Sequence, residues 1–129
     1  MTNVAASTSS LLMIVFAIIC GVAGQLTLKL GMTAAGRIDG EALSRPMQTL
    51  IATLGNPMVL GGLSFYVLGA VAWLTVLSRV PLSYAYPILA AGYAITPILA
   101  WLILNESVPS MRWMGIGTIC LGVLLVSRT

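Results

Sequence analysis

Four long apolar runs dominate the chain: Leu11 to Gly31, Pro57 to Ser78, Leu82 to Leu104 and Pro109 to Ser127. Each is close to the 20 or so residues that carry a helix across a bilayer core. Hydrocarbon offers no partner to backbone amides and carbonyls, so a spanning segment must satisfy them within itself. The runs are continuous rather than alternating, which excludes β-barrel strands. The pattern predicts an all-α fold, a bundle of four transmembrane helices, with residues 1–129 forming one membrane domain.

Two of the three connections are short: "RVP" at 79–81, with Pro81 suited to open the third helix, and "NESV" at 105–108. The first is longer. Its opening part, "TAAGRIDGEALSR" at 33–45, is polar and reads as loop. Its second part is patterned, because Met47, Leu50, Ile51 and Leu54 fall at i, i+3, i+4 and i+7. Ser44 and Pro46 suit a helix start and "GNP" at 55–57 a stop. This predicts a short amphipathic helix that lies on the membrane interface or caps the bundle, apolar stripe inward.

Composition sharpens the class. Of 129 residues, 59% are hydrophobic and 7% charged, against about 25% charged in a soluble domain. Too few polar side chains exist to cover a water-facing surface, so the chain reads as an integral membrane protein. The net charge is +3 and the basic residues are scattered, which gives no nucleic-acid footprint. There is no histidine to serve as base or ligand. Cys20 and Cys120 lie inside apolar runs and read as buried small hydrophobes rather than a disulfide. The opening "MTNVAASTSS" has no Lys or Arg, so the first run is expected to be a retained span rather than a signal peptide. Arg37, Arg45 and Arg112 fall on one side, with Lys29 at its border, and Arg79 and Arg128 on the other. That small margin favours the first and third loops in the cytoplasm, and it is also what a chain inserting in both orientations would show.

Polar groups inside the runs are costly and mark candidate chemistry. In "GVAGQLTLKLG" at 21–31, Gln25 and Lys29 are four apart and share a helix face, with Gly21 one turn further back. Lys29 either snorkels to the headgroups or faces the bundle interior and pairs with an anion. Gln25 either bonds a neighbouring helix or touches a ligand. Ala17, Gly21 and Gly24 form a small-residue strip that permits close helix approach. In the third run Pro87 and Pro97 each remove a backbone bond, and Ser83, Tyr84, Tyr86, Tyr93 and Thr96 supply polar groups. Tyr86 and Tyr93 are seven apart and share a face. Trp73, in the second run, completes the candidate lining. The fourth run, with Gly115, Gly117 and Gly122, suits packing or dimerisation. The only acids, Asp39, Glu41 and Glu106, lie outside the runs, so no buried carboxylate is available to trade a proton for a cation. Nucleophile–base sets, metal clusters and phosphate-cradling glycine loops are missing, so no catalytic residue, metal or cofactor is expected.

The block from Leu77 to Arg128, with "VPLSYAYPI", the "NE" at 105–106 and "RWMGIGTICLGVLLV", resembles the closing half of an EamA-type unit of the drug/metabolite transporter superfamily. "AGQLTLK" in the first run resembles its small four-helix members, in particular flippase subunits for aminoarabinose linked to undecaprenyl phosphate. The multidrug-resistance relatives of this size carry an essential glutamate eight residues before their lysine. Aligned on Lys29, that position is Gly21 here. The resemblance implies a chamber built from spans one to three, with span four holding a homodimer, antiparallel in many members, or a heterodimer. It implies a multi-pass protein of the bacterial inner membrane that moves a lipid-linked sugar between leaflets. The headgroup would meet Gln25, Lys29, Tyr86, Tyr93, Ser83 and Trp73, and Lys29 would suit a phosphate. The alternatives are an exporter of cationic compounds, which would need an acid such as Glu106, and a non-transporting subunit of a lipid-modifying complex.

Overall fold

A computed structural model describes residues 7–128. The opening segment 1–6, which bears on the signal-peptide expectation, lies outside the described residues. Among the described residues the structure is helical without strands: α1 Thr8–Ala35, α2 Gly40–Ser44, α3 Pro46–Leu54, α4 Pro57–Leu77, α5 Leu82–Leu89, α6 Ala91–Leu104 and α7 Ser110–Ser127. Four spans are long and apolar enough to cross a membrane, the third being α5 and α6 together, and the chain is a multi-pass membrane protein.

The tightest packing is between α1 and α4. Lipid tails are as apolar as leucine, so helices in a bilayer associate through close backbone approach rather than apolar burial. Glycines supply that approach. A methyl group added at Gly24 would stand 3.1 Å from the Gly62 carbonyl oxygen, and one at Gly62 would stand 2.6 Å from Leu28 Cγ. Further along, one at Gly69 would meet Cys20 Cβ at 3.2 Å, and one at Gly31 would meet Val59 at 2.9 Å. Gly24 with Gly31 and Gly62 with Gly69 repeat at seven residues, two helical turns, so each pair keeps to one seam. Asn56 fixes the end of that seam. Its side-chain oxygen accepts from the Met58 amide at 2.9 Å and caps α4, while its amide nitrogen donates to the Gly31 carbonyl at 3.1 Å.

α1 is 28 residues long, beyond the run the hydropathy pattern marked at both ends. At 1.5 Å per residue it measures about 42 Å, roughly 12 Å more than a bilayer core.

The third span is not one helix. It breaks at Ala90, between its two prolines, and the Tyr93 amide returns to the Ala90 carbonyl at 2.9 Å. Pro87 and Pro97 cannot donate to the carbonyls four residues back, at Ser83 and Tyr93, so the span is weakened on both sides of the break. It ends on Asn105, whose left-handed backbone (φ 53°) turns the chain sharply into the last loop.

At one end, Ile14, Val76, Val80 and Ala85 form a buried apolar cluster joining α1, α4 and α5, with Trp73 and Tyr84 packed against it. The other end, where α1 and α6 finish, carries the first and third loops and is open. Among the described helices α7 packs on α5 and α6, with an edge-to-face contact of Trp113 with Trp101 at 5.6 Å. A methyl group added at any of its three glycines, Gly115, Gly117 or Gly122, would meet no other part of the fold within 4 Å. Cys120, expected to be buried, is exposed on this helix, whereas Cys20 is buried in the α1–α4 seam; both are free. α7 has too few neighbours to bury a side chain of that size on its outer face.

The first loop differs from expectation in two respects. Asp39 accepts from the Ala42 amide at 3.1 Å and starts the short helix α2 where loop was expected. In α3 the amphipathic pattern is turned round: Met47, Leu50, Ile51 and Leu54 are exposed, while Thr49 and Thr53 are half-buried. Thr49 ties α3 back to α2 by donating to the Ala42 carbonyl at 2.7 Å. The apolar stripe therefore points away from the bundle, as suits a helix resting on lipid.

Candidate functional site

The α1 face outside the glycine seam carries the polar groups. Gly21, Gln25, Lys29 and Thr33 recur every four residues, and Arg37 follows at the same interval just past the helix. Four residues turn a helix by about 400°, so such a row forms one gently spiralling stripe. Three cavities among the described residues border its helical part, from Gly21 to Thr33. The innermost, of about 230 Å³, is bounded by Gly21 and Gln25 of α1, Tyr66 of α4, and Gly92, Tyr93 and Thr96 of α6. Beyond it, a vestibule of about 200 Å³ is bounded by Gln25, Lys29, Thr96, Leu104 and Glu106. Gln25 and Thr96 belong to both walls, so the two spaces adjoin. A third groove, of about 460 Å³, runs past Lys29 and Thr33 to Arg37.

Charge is confined to the mouth. The inner cavity offers an amide, two phenols and a threonine hydroxyl among apolar walls, and no ionised group. Thr96 spends its proton on the Gly92 carbonyl at 2.8 Å and keeps its oxygen as an acceptor. In the vestibule, Lys29 Nζ lies 3.4 Å from Glu106 Oε1. Both side chains are about half exposed, at 58% and 44%, so the pair holds by a weak, solvent-screened attraction. Asn105 sets it up, because only the turn there brings Glu106 back over α1. Lys29 is six residues before the end of α1, about 9 Å at 1.5 Å per residue, which puts its ammonium within reach of the headgroups.

The six residues proposed from the sequence fall into separate places. Gln25 and Tyr93 share the inner cavity, and Gln25 and Lys29 share the vestibule. Tyr86 and Trp73 lie against each other, edge to face at 5.6 Å, beside the closed apolar end. They line none of the three cavities, because the break at Ala90 interrupts the helical register that would place Tyr86 with Tyr93. Ser83, at the start of α5, is exposed and also lines none of them. Lys29 has an anionic partner, the Glu106 carboxylate of the last loop, in a half-exposed pair at the mouth rather than in the bundle interior. Gln25 faces cavity rather than a helix seam. Gly21, one residue of the small-residue strip, borders the seam only with its backbone, since a methyl group there would meet nothing within 4 Å. Tyr66 and Arg37 were not among the sequence candidates for this site, Thr96 was noted only as a polar group of the third run, and Glu106 only as an acid for cation export. Arg37 lies past the end of α1, where helical spacing no longer applies, and Tyr66 carried no such signal either.

Comparison with known proteins adds a family to this geometry. A model described as the EamA-like transporter family matches residues 41–128. A protein of Serratia proteamaculans (strain 568), named "Probable 4-amino-4-deoxy-L-arabinose-phosphoundecaprenol flippase subunit ArnE", is 42% identical over 60 residues, which cover 46% of this chain and 52% of that one. Proteins of the same name from Salmonella paratyphi B and Salmonella newport are 30% identical over 97 residues, 74% of this chain and 86% of theirs. No solved structure matches the chain.

Proposed function

This chain belongs to the EamA-like transporter family, and from that premise we propose that it flips an undecaprenyl-phosphate-linked sugar, such as aminoarabinose, between the leaflets of a bacterial inner membrane. The observation that carries the reading is the separation of charge along α1: a cation about 9 Å from the end of the helix, and beyond it an uncharged polar cavity. A lipid phosphate meets Lys29, which offers three donors and a full charge. The sugar enters the inner cavity, where Gln25, Tyr93 and Tyr66 can exchange hydrogen bonds with its hydroxyls. The isoprenoid tail stays in the bilayer beside Leu26 and Leu104, so it need not be desolvated from lipid. The closed apolar cluster at the far end blocks the path there, so this conformation serves one leaflet. The break at Ala90 is where the third span can bend to serve the other. The reading assigns no catalytic step to the chain.

The inner cavity is open-sided, with Tyr93 69% exposed. A second subunit, identical or related, would complete its wall, and the unpartnered glycine face of α7 is where such subunits would join. The test is flipping of a polyprenyl-phosphate-linked aminoarabinose in proteoliposomes. Lys29→Ala should abolish it without loss of expression. Flipping at the wild-type rate by that variant would overturn the phosphate role of Lys29.

Glu106 supplies the acid that export of cations would need, and it stands in the vestibule. Its pairing with Lys29 leaves the mouth without net negative charge, which weighs against that second reading. Proton-driven efflux of a cationic dye by the purified chain, lost in Glu106→Gln, would favour it.

A further inference from the structure

Lys29 borders two spaces at once. On one side is the vestibule with Glu106; on the other is the open groove that ends at Arg37. The two cations differ in what they have available. Lys29 already faces a carboxylate. Arg37 makes no ion pair among the described residues, and the carboxylate nearest to it in sequence, Asp39, is engaged in capping α2. The groove between them is lined by Thr33 and Met32 and by the backbone turn at Gly36, whose φ of 99° suits glycine. It is the largest of the three spaces and lies at the C-terminal end of α1. A cationic groove at headgroup level, carrying an unpaired guanidinium, is chemically matched to a phosphate, which a planar fork of N–H donors holds bidentately.

We infer that Arg37 is a second phosphate-binding residue, and that a lipid phosphate is seated between Lys29 and Arg37 in this groove before the headgroup turns into the vestibule. This rests on the flippase reading and extends it. It also resolves a conflict at the vestibule mouth. A phosphate approaching from the Glu106 side would meet a carboxylate first. Approaching along the Arg37 groove, it meets Lys29 on the face away from Glu106. The one sequence interval that links Gly21, Gln25, Lys29 and Thr33 to Arg37 then describes a route, with the charged steps outermost and the neutral ones innermost.

The test is equilibrium binding to the full chain in nanodiscs, with a short polyprenyl monophosphate as probe, polyprenol as its uncharged counterpart and inorganic phosphate as competitor. Arg37→Gln should weaken polyprenyl phosphate about tenfold, flatten the salt dependence of its binding, and leave polyprenol unchanged. Arg37→Lys should recover part of the loss. Lys29→Gln should weaken the same probe, and the double variant should lose less than the product of the two. If Lys29→Gln loses binding while Arg37→Gln binds as wild type with the same salt dependence, the role of Arg37 falls and the flippase reading stands. If neither variant alters binding, or wild type holds polyprenol as tightly as its phosphate, the flippase reading falls with it. Inorganic phosphate competing as strongly as the polyprenyl ester would overturn a lipid as the source of the phosphate.

Discussion

Lys29 Nζ and Glu106 Oε1 stand 3.4 Å apart across the mouth of the vestibule, joining the first span to the last loop. Both are about half exposed, and pairs of that kind contribute only about 0–1 kcal/mol. Glu106→Gln should therefore change the melting temperature in detergent little. Its effect should be on the anion: with its carboxylate gone, Lys29 should hold polyprenyl phosphate more tightly. Weaker binding in this variant would show that Glu106 positions Lys29 rather than competing for it.

The α1–α4 seam should be intolerant of bulk where the cavity wall is not. A Cβ at Gly62 would approach Leu28 Cγ at 2.6 Å and the Leu28 backbone nitrogen at 3.0 Å. Gly62→Ala should cost about 1–3 kcal/mol. Gly21→Ala, with nothing within 4 Å, should unfold like the wild type. Thermal unfolding of both variants, side by side, checks the contrast.

A larger side chain at Gly21 should act on transport and not on stability. Gly21→Leu projects its branch into the inner cavity of about 230 Å³ beside Gln25 and Tyr93. Flipping should fall at least tenfold while expression and unfolding stay normal. Unchanged flipping would place the headgroup path elsewhere.

Asn105 holds a left-handed conformation that costs an ordinary L-residue about 1–2 kcal/mol. Asn105→Gly should be neutral or stabilising. Asn105→Val should destabilise the α6–α7 corner and displace Glu106 from Lys29, so its phosphate affinity should move in the same direction as that of Glu106→Gln. A combined melting and binding series on the three variants checks both effects.

The Asn56 cap of α4 offers a further check on the fold. Asn56 closes two bonds, to Met58 in its own helix and to Gly31 in the first. Asn56→Ala should cost about 1–2 kcal/mol, the usual range for a lost cap, and Asn56→Asp should recover only the bond within α4.

The sequence by itself determined that this is a four-span helical membrane protein, since apolar runs of that length have no other stable form in a bilayer. It also determined the polar stripe, because a four-residue interval is enough to put Gly21, Gln25 and Lys29 on one face of α1. It marked Pro87 and Pro97 as weak points and the 46–54 segment as amphipathic. What it could not determine was which neighbour each face meets. The small-residue strip divides in the structure: Gly24 packs on Gly62, whereas Gly21 faces open space, a distinction that depends on how α4 crosses α1. Tyr86 and Tyr93 were aligned by counting along one continuous helix, and the break at Ala90 assigned them to different surroundings. The apolar stripe of α3 looked bound for the core, yet in a membrane protein lipid is an equally good solvent for it, so packing of Thr49 and Thr53 decided its direction. Glu106 lies far from Lys29 in sequence, and only the turn at Asn105 brings the one acid of the last loop over the one cation of the first span. Local pattern fixes what a helix is; the crossing of one helix on another fixes what its polar groups can reach.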